Sequence, residues 1–274
     1  MVVGFDGSAH AIQALDWALD EAELRDLPLT LCHVWQWPYS RPDETGRTSL
    51  RIAANHVLEH GVECARNRTR GVRVASMLCE GPPAERLVEM SGNADLLVVG
   101  SRGLGGIARV IVGSVAGQVA AHAECPVIVI RGAGPLPRRE SPRPLVVGVD
   151  YSSAAEAALG FGLGEARLRE LPLQVIHASG EPDLVGVDMA DAAERLEKIV
   201  APWSDRYPDV ELRLRVIDKQ PRAALRDAAE EAGLVVVGAV AHRRVPLGSV
   251  SHWLLHHLSC PVTVVPDALI PDKD

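Results

Sequence analysis

No run of about 18 consecutive apolar residues occurs in this chain of 274, so the sequence holds nothing that reads as a membrane-crossing helix. Positive charge is also in short supply. Lys and Arg number 28 against 36 Asp and Glu, a formal net charge of −8. That balance argues against a nucleic-acid or anionic-membrane surface. No basic segment opens the chain, so no signal peptide is expected and the cytoplasm is the default compartment. The five cysteines, Cys32, Cys64, Cys79, Cys125 and Cys260, form no CxxC pair. They read as small buried apolar side chains. The ten histidines make no HExxH and no zinc-like spacing with cysteine. His256-His257 beside Trp253 reads as a polar helix face. There is no GxxxxGK(S/T) phosphate loop and no GxSxG nucleophile elbow.

What the chain does have is apolar content, 47% of its residues, and a long internal repeat. Gly4-Phe5-Asp6 returns as Gly148-Val149-Asp150, and Leu27-Pro28-Leu29 returns as Leu171-Pro172-Leu173 at the same separation. His33 pairs with His177 in that register. Val98-Val99-Gly100, Gly113-Ser114-Val115 and Cys125-Pro126-Val127 return as Val236-Val237-Gly238, Gly248-Ser249-Val250 and Cys260-Pro261-Val262, at slightly shorter separations. The repeat is therefore a whole domain, and the length suits two of about 100 to 150 residues. The expected division is 1–131, a Pro-, Gly- and Arg-rich linker 132–144, a second domain 145–266, and a tail 267–274.

Each copy alternates strands and helices. In the first, Met1 to Phe5 reads as a strand, Ser8 as a helix cap, and Ile12, Leu15, Leu19 and Ala22 as a helix face. Leu29 to Trp35 is a strand, Pro38 to Thr48 a loop, and Leu50 to Val62 marks a helix. Val72 to Leu78 is a third strand, and Gly81-Pro82-Pro83 opens a short helix. Leu96 to Val99 and Val127 to Ile130 are continuous apolar runs, as strands covered on both faces require. The second copy runs alike: strands at 145–149, 173–177, 211–217, 234–237 and 262–265, and a helix over 188–206. Ser153 with Glu156 has capping-box spacing. Gly160, Gly162 and Gly164 fall inside a predicted helix and read as packing positions. Alternation of this kind means βαβ units and a parallel sheet. The first strand begins at the first residue, so a slightly earlier natural start is expected.

The chemistry sits where the run Leu96 to Val99 enters Gly100-Ser101-Arg102-Gly103-Leu104-Gly105-Gly106. After Gly113-Ser114 an apolar helix follows, Val115 to Ala123. A buried strand thus ends in a glycine-rich loop, and the loop ends at a helix N-terminus, an arrangement that offers amides to an anion. Gly103 to Ala108 fits GxGxxA formally. A dinucleotide site, however, places that motif after the first strand, with an acidic residue about 20 positions on, and neither condition is met.

The spacing Gly100-x2-Gly103-x9-Gly113-Ser114 resembles the ATP-binding pattern of universal stress proteins, as do the opening Val2-Val3-Gly4-Phe5-Asp6-Gly7-Ser8 and Cys125-Pro126-Val127. The resemblance covers nearly the whole chain, twice. It implies an α/β fold: two tandem Rossmann-like, doubly wound domains, each a five-stranded parallel sheet of order 3-2-1-4-5 flanked by helices. That order puts strands 1 and 4 side by side at the switch point, where ligands bind. The resemblance further implies ATP, with Mg2+, as the ligand. Gly4 and Asp6 would meet the nucleoside, and the backbone near Val34 the adenine. The loop Gly100, Ser101, Arg102, Gly103, Leu104, Gly105 and Gly106, with Gly113, Ser114 and Val115, would wrap the phosphates. Pairing through the fifth strands would make the chain an internal pseudo-dimer, able to dimerise again.

The second copy carries Gly148, Asp150, Gly238, Gly248, Ser249 and Val250 at the matching places. Its loop is shorter, with nine residues between Gly238 and Gly248 against twelve between Gly100 and Gly113. Ala241 stands for the second glycine, and Pro246 lacks a donor. His242, Arg243 and Arg244 add charge instead. This copy reads as a degraded site, its retained residues marking a strand end and a helix cap. No nucleophile or general base accompanies the first cradle, so the expectation is a regulatory ATP-binding protein, not an enzyme, with a protein partner reading its bound state. The rivals are an ATP hydrolase or nucleotidyl transferase relying on Asp6, and a nucleotide-free interaction module.

Overall fold

The continuous apolar runs become parallel β-strands. The computed structural model describes residues 1–38, 43–103, 112–131, 143–180, 189–239 and 247–267. The chain divides into two units, Met1–Ala133 and Gly134–Asp274, each taken by itself below. Among the described residues no helix is long and apolar enough to cross a membrane.

In the first unit the order along the chain is β1 (Val2–Gly4), α1 (Ala9–Arg25), β2 (Leu29–Trp35), α2 (Glu44–Arg68), β3 (Val74–Glu80), α3 (Pro83–Ser91), β4 (Leu97–Gly100), α4 (Ser114–His122) and β5 (Val127–Ile130). The strands lie in the order β3-β2-β1-β4-β5, all parallel. In the second unit β6 (Leu145–Gly148), α5 (Ser153–Arg169), β7 (Leu173–Ala178), α6 (Met189–Arg206), β8 (Leu212–Ile217), α7 (Pro221–Ala229), β9 (Leu234–Ala239), α8 (Ser249–His257) and β10 (Val262–Pro266) repeat the course. Their order, β8-β7-β6-β9-β10, is the same topology. Both sheets are thus doubly wound in the order 3-2-1-4-5. The central strands are sealed on both faces: Leu97, Val98, Leu145, Val146, Val147, Val235 and Val236 are wholly buried.

Two local readings change. The segment expected as a loop over 38–48 turns helical at Glu44. Four of the 25 residues of α2 are buried, Ala54, Leu58, Gly61 and Ala65, so its first turns carry no apolar signal. In the second unit the cap of α5 is Ser152, one residue before the expected Ser153. Its Oγ accepts from the Ala155 amide at 3.2 Å. Ser8 caps α1 as expected, accepting from Ala11 at 3.1 Å. Two of the α5 glycines are packing positions: a Cβ on Gly160 would meet the Trp203 ring at 2.5 Å, and one on Gly162 would touch Leu173; Gly164 is not one, since a Cβ there would meet nothing within 4 Å.

The cysteines form no disulfide, and Cys32, Cys125 and Cys260 are buried. Burial pushes the Cys32 thiol up to about 12, with neighbouring Cys79 adding to the shift, and burial also pushes Cys125 up to about 12. Both are far from forming a thiolate at neutral pH.

Strand 4 ends on the backbone of helix 1 in each unit. A Cβ on Gly100 would lie 2.7 Å from the His10 carbonyl oxygen, and one on Gly238 would lie 2.5 Å from the Ala154 carbonyl carbon. Backbone yields less readily than a side-chain tip. Gly238→Ala is therefore expected to destabilise the protein by about 1–3 kcal/mol, the usual range for overpacking. Denaturant unfolding reads this directly, and an unchanged midpoint would show that the helix has room to slide.

Candidate functional site

The first cleft forms where β1 and β4 end side by side. Phe5 closes β1, its amide bonded to the Cys32 carbonyl at 2.8 Å, and the chain then turns sharply into α1. The Asp6 Oδ1 accepts from the Ser8 amide at 3.0 Å, the Asx arrangement that starts such turns. Gly7 makes the corner at φ +82°, a conformation costly for any side chain. From the other strand, Gly100-Ser101-Arg102-Gly103 runs directly over this turn. The Ser8 hydroxyl lies 3.5 Å from the Arg102 carbonyl oxygen. Gly103 rests against Asp6 so closely that a Cβ there would collide with Oδ2.

Helix α4 then returns to the same point. The Gly113 amide donates to the Ser101 carbonyl at 2.8 Å, and Gly113 serves as the N-cap with φ −63° and ψ 154°. It brings no side-chain cap bond, and the first-turn amides of any helix lack intrahelical acceptors. The positive end of α4, with Ser114 exposed and Val115 half-buried, therefore faces the Asp6–Gly103 contact.

The sequence-derived candidates separate into two groups. Asp6, Arg102, Gly103 and Gly113 are brought together, with Ser114 and Val115 in the turn of α4 that follows. Val34 sits at the same end of the sheet, two residues beyond Cys32, which pairs with Gly4. Gly4 and Gly100 have packing reasons to be glycine: a Cβ on Gly4 would stand 3.1 Å from Leu87 Cδ1. Ser101 is buried, and its amide is committed to the Ile130 carbonyl at 2.9 Å. None of Gly100, Gly103 and Gly113 has positive φ, so close approach, not backbone twist, is what glycine supplies there. Leu104, Gly105 and Gly106 lie outside the described residues.

Two groups escaped the sequence reading. His10, in the first turn of α1, is held below the usual imidazole range. Burial is the main cause and the Arg102 guanidinium adds to it; Asp6 opposes and Arg131 adds a little. Arg131 is itself buried, just past β5. Nothing in the spacing of His10 or Arg131 marks them, because neither belongs to a local motif.

In the second unit the six matching residues, Gly148, Asp150, Gly238, Gly248, Ser249 and Val250, all line one open cleft of about 570 Å³. Gly248 caps α8 with φ −58° and ψ 152°, nearly the geometry of Gly113. Gly148 is held by packing, a Cβ there falling 2.9 Å from Leu225 Cδ1. The loop residues 240–246, where degradation was read, lie outside the described residues. His33 and His177 play one part in both units: Nδ1 donates to the carbonyl that ends the first strand, Phe5 at 2.7 Å and Val149 at 2.9 Å. Among the described residues no cluster of three His, Cys, Asp or Glu suits a metal ion.

Comparison with known proteins agrees with this architecture. Residues 1–131 and 142–266 each match the universal stress protein family. A universal stress protein of Mycobacterium tuberculosis is 32% identical over 284 residues, covering 96% of both chains. One of Mycolicibacterium smegmatis is 32% identical over 285 residues, covering 97% of this chain and 96% of its own. Among solved structures, a universal stress protein of Archaeoglobus fulgidus superimposes with a TM-score of 0.77 at 18% identity, covering 100% of this chain and 97% of that one. The chain therefore belongs to the universal stress protein family and carries the family's domain twice.

Proposed function

We propose that this protein is a regulatory ATP-binding protein that holds one ATP, with Mg2+, in its first repeat. The observation that carries the reading is the seating of Gly103 on the Asp6 carboxylate, directly before the amide end of α4. A cradle that a single Cβ would fill is built for close backbone approach by a ligand. The residues fit a nucleotide: α4 would supply helix-terminal amides and Arg102 charge to the phosphates, while Asp6 would offer its carboxylate to the nucleoside. A partner would read the nucleotide-bound surface at the mouth of the cleft. The direct test is to denature the purified protein, separate released nucleotides, and titrate the emptied chain with ATP. About one ATP per chain is expected; no retained nucleotide and no binding on titration would overturn the proposal.

A proton count gives a second test. His10 is neutral at pH 7 because its pKa lies below the ordinary value of 6.5. Nearby phosphate charge favours the imidazolium and raises that pKa. ATP binding is thus expected to take up a fraction of a proton on the acid side of neutrality. His10→Asn removes that fraction. Titration calorimetry in two buffers of different ionisation enthalpy reads the difference, and identical proton counts would place the phosphates away from His10.

A further inference from the structure

The second cleft differs from the first at two places that face each other. Where the first unit has Gly7 at φ +82°, the second has Tyr151 at φ +64°. Glycine takes that conformation freely; for a bulky residue it is a strained outlier that persists only when its surroundings hold it. The Tyr151 ring lies over His177, centroids 4.3 Å apart, and its hydroxyl donates to the Ala192 carbonyl at 3.3 Å. Across from this corner, the buried Ala192 and Leu196 of α6 stand where Ala54 and Leu58 stand in α2. That register puts Arg195 in the place of Val57, whose Cγ1 is the side-chain atom 3.3 Å from a Cβ built on Gly7.

A glycine–valine contact in one repeat has thus become a tyrosine–arginine pair in the other. Arg195 is exposed and lines the cleft, close enough to Tyr151 to act on its hydroxyl electrostatically, and it makes no hydrogen bond or ion pair among the described residues. The one carboxylate among the described lining residues, Asp150, is engaged locally, accepting from the Ser152 amide at 3.2 Å and hydroxyl at 2.6 Å. Leu225, Val237 and Ile176 supply an apolar floor. The volume, about 570 Å³, lies within the range of small-molecule sites.

We propose that the second cleft is a separate binding site for a ring-bearing organic acid, its planar ring against Tyr151 and its carboxylate on the Arg195 guanidinium. A neutral base gains only ordinary hydrogen bonds or stacking from a guanidinium at that end, whereas a carboxylate gains a stronger charge-assisted pair. The strained tyrosine is kept because it forms the wall of the site. This site is independent of nucleotide in the first repeat.

Indole-3-acetate is the probe and indole-3-acetamide its uncharged counterpart, both titrated by calorimetry into the full chain saturated with ATP and magnesium. The acid is expected to bind once per chain, at least 10-fold more tightly than the amide. Arg195→Gln, at an exposed position, erases that preference. Tyr151→Gly, which restores the residue of the first repeat, weakens acid and amide alike. Equal affinity for acid and amide, a preference that survives Arg195→Gln, or displacement of the probe by ATP would each overturn the proposal. ATP binding measured separately tells this failure from failure of the first site.

Discussion

Gly103→Val is expected to abolish ATP binding while leaving the fold intact. The added Cβ would collide with the Asp6 Oδ2. Asp6 has little freedom to retreat, because its other oxygen holds the Ser8 amide in the turn that starts α1. The loop must lift instead, and the Ser8–Arg102 contact and the approach of Gly113 to Arg102 lift with it. A loss of at least 100-fold follows, about 2.7 kcal/mol of binding free energy. Gly103 is exposed, so the unfolding transition should move little. Calorimetry with ATP and a denaturation curve on the same variant decide the matter. Undiminished affinity would put the phosphates elsewhere in the cleft.

Glu165→Ala acts on stability. Glu165 is fully buried in α5 and accepts from Arg169 Nε at 3.0 Å and Nη2 at 2.9 Å; the arginine side chain is 1% exposed. Removing one partner of a buried pair takes this ion-pair contact from the other charge and costs about 3–5 kcal/mol. The first unit has the same device one repeat earlier, Glu21 with Arg25 at 2.6 Å, but there the arginine side chain is 26% exposed. Glu21→Ala should therefore cost less, because water reaches the abandoned guanidinium. Replacing the second pair together, Glu165→Leu with Arg169→Met, should cost less than Glu165→Ala alone, since no charge is left buried. Urea midpoints of the variants provide the ranking. A Glu165→Ala loss under about 1 kcal/mol would mean that the guanidinium finds water or another acceptor.

These pairs also show where sequence reasoning runs out. The sheets were legible because Leu96 to Val99, Val127 to Ile130 and their counterparts are unbroken apolar runs that only a doubly covered strand explains. The meeting of Asp6 with Gly103 was legible because the switch point of such a sheet brings the ends of β1 and β4 together. Glu21 and Glu165 were not legible, since a glutamate in an amphipathic helix reads as solvent-facing unless its partner is seen. The start of α2 at Glu44 was hidden for the opposite reason, its first turns being exposed and without apolar period. Gly100 and Gly238 looked like ligand glycines; the carbonyls of His10 and Ala154 that crowd them come from another element. Tyr151 left one trace, its alignment with Gly7, and that trace has meaning only once φ +64° is known.

The two histidines that close the first strands have a practical consequence. Because Nδ1 of His33 and of His177 donates to a carbonyl, each ring is fixed as one tautomer, with Nε2 left to report its surroundings. His177 lines the second cleft, and His33 holds the corresponding place in the first. The molecule thus contains a matched pair of nuclear-magnetic-resonance reporters, one per repeat. Imidazole nitrogen shifts that move in one ring and not the other would tell, in a single titration, which half of the chain has taken up its ligand.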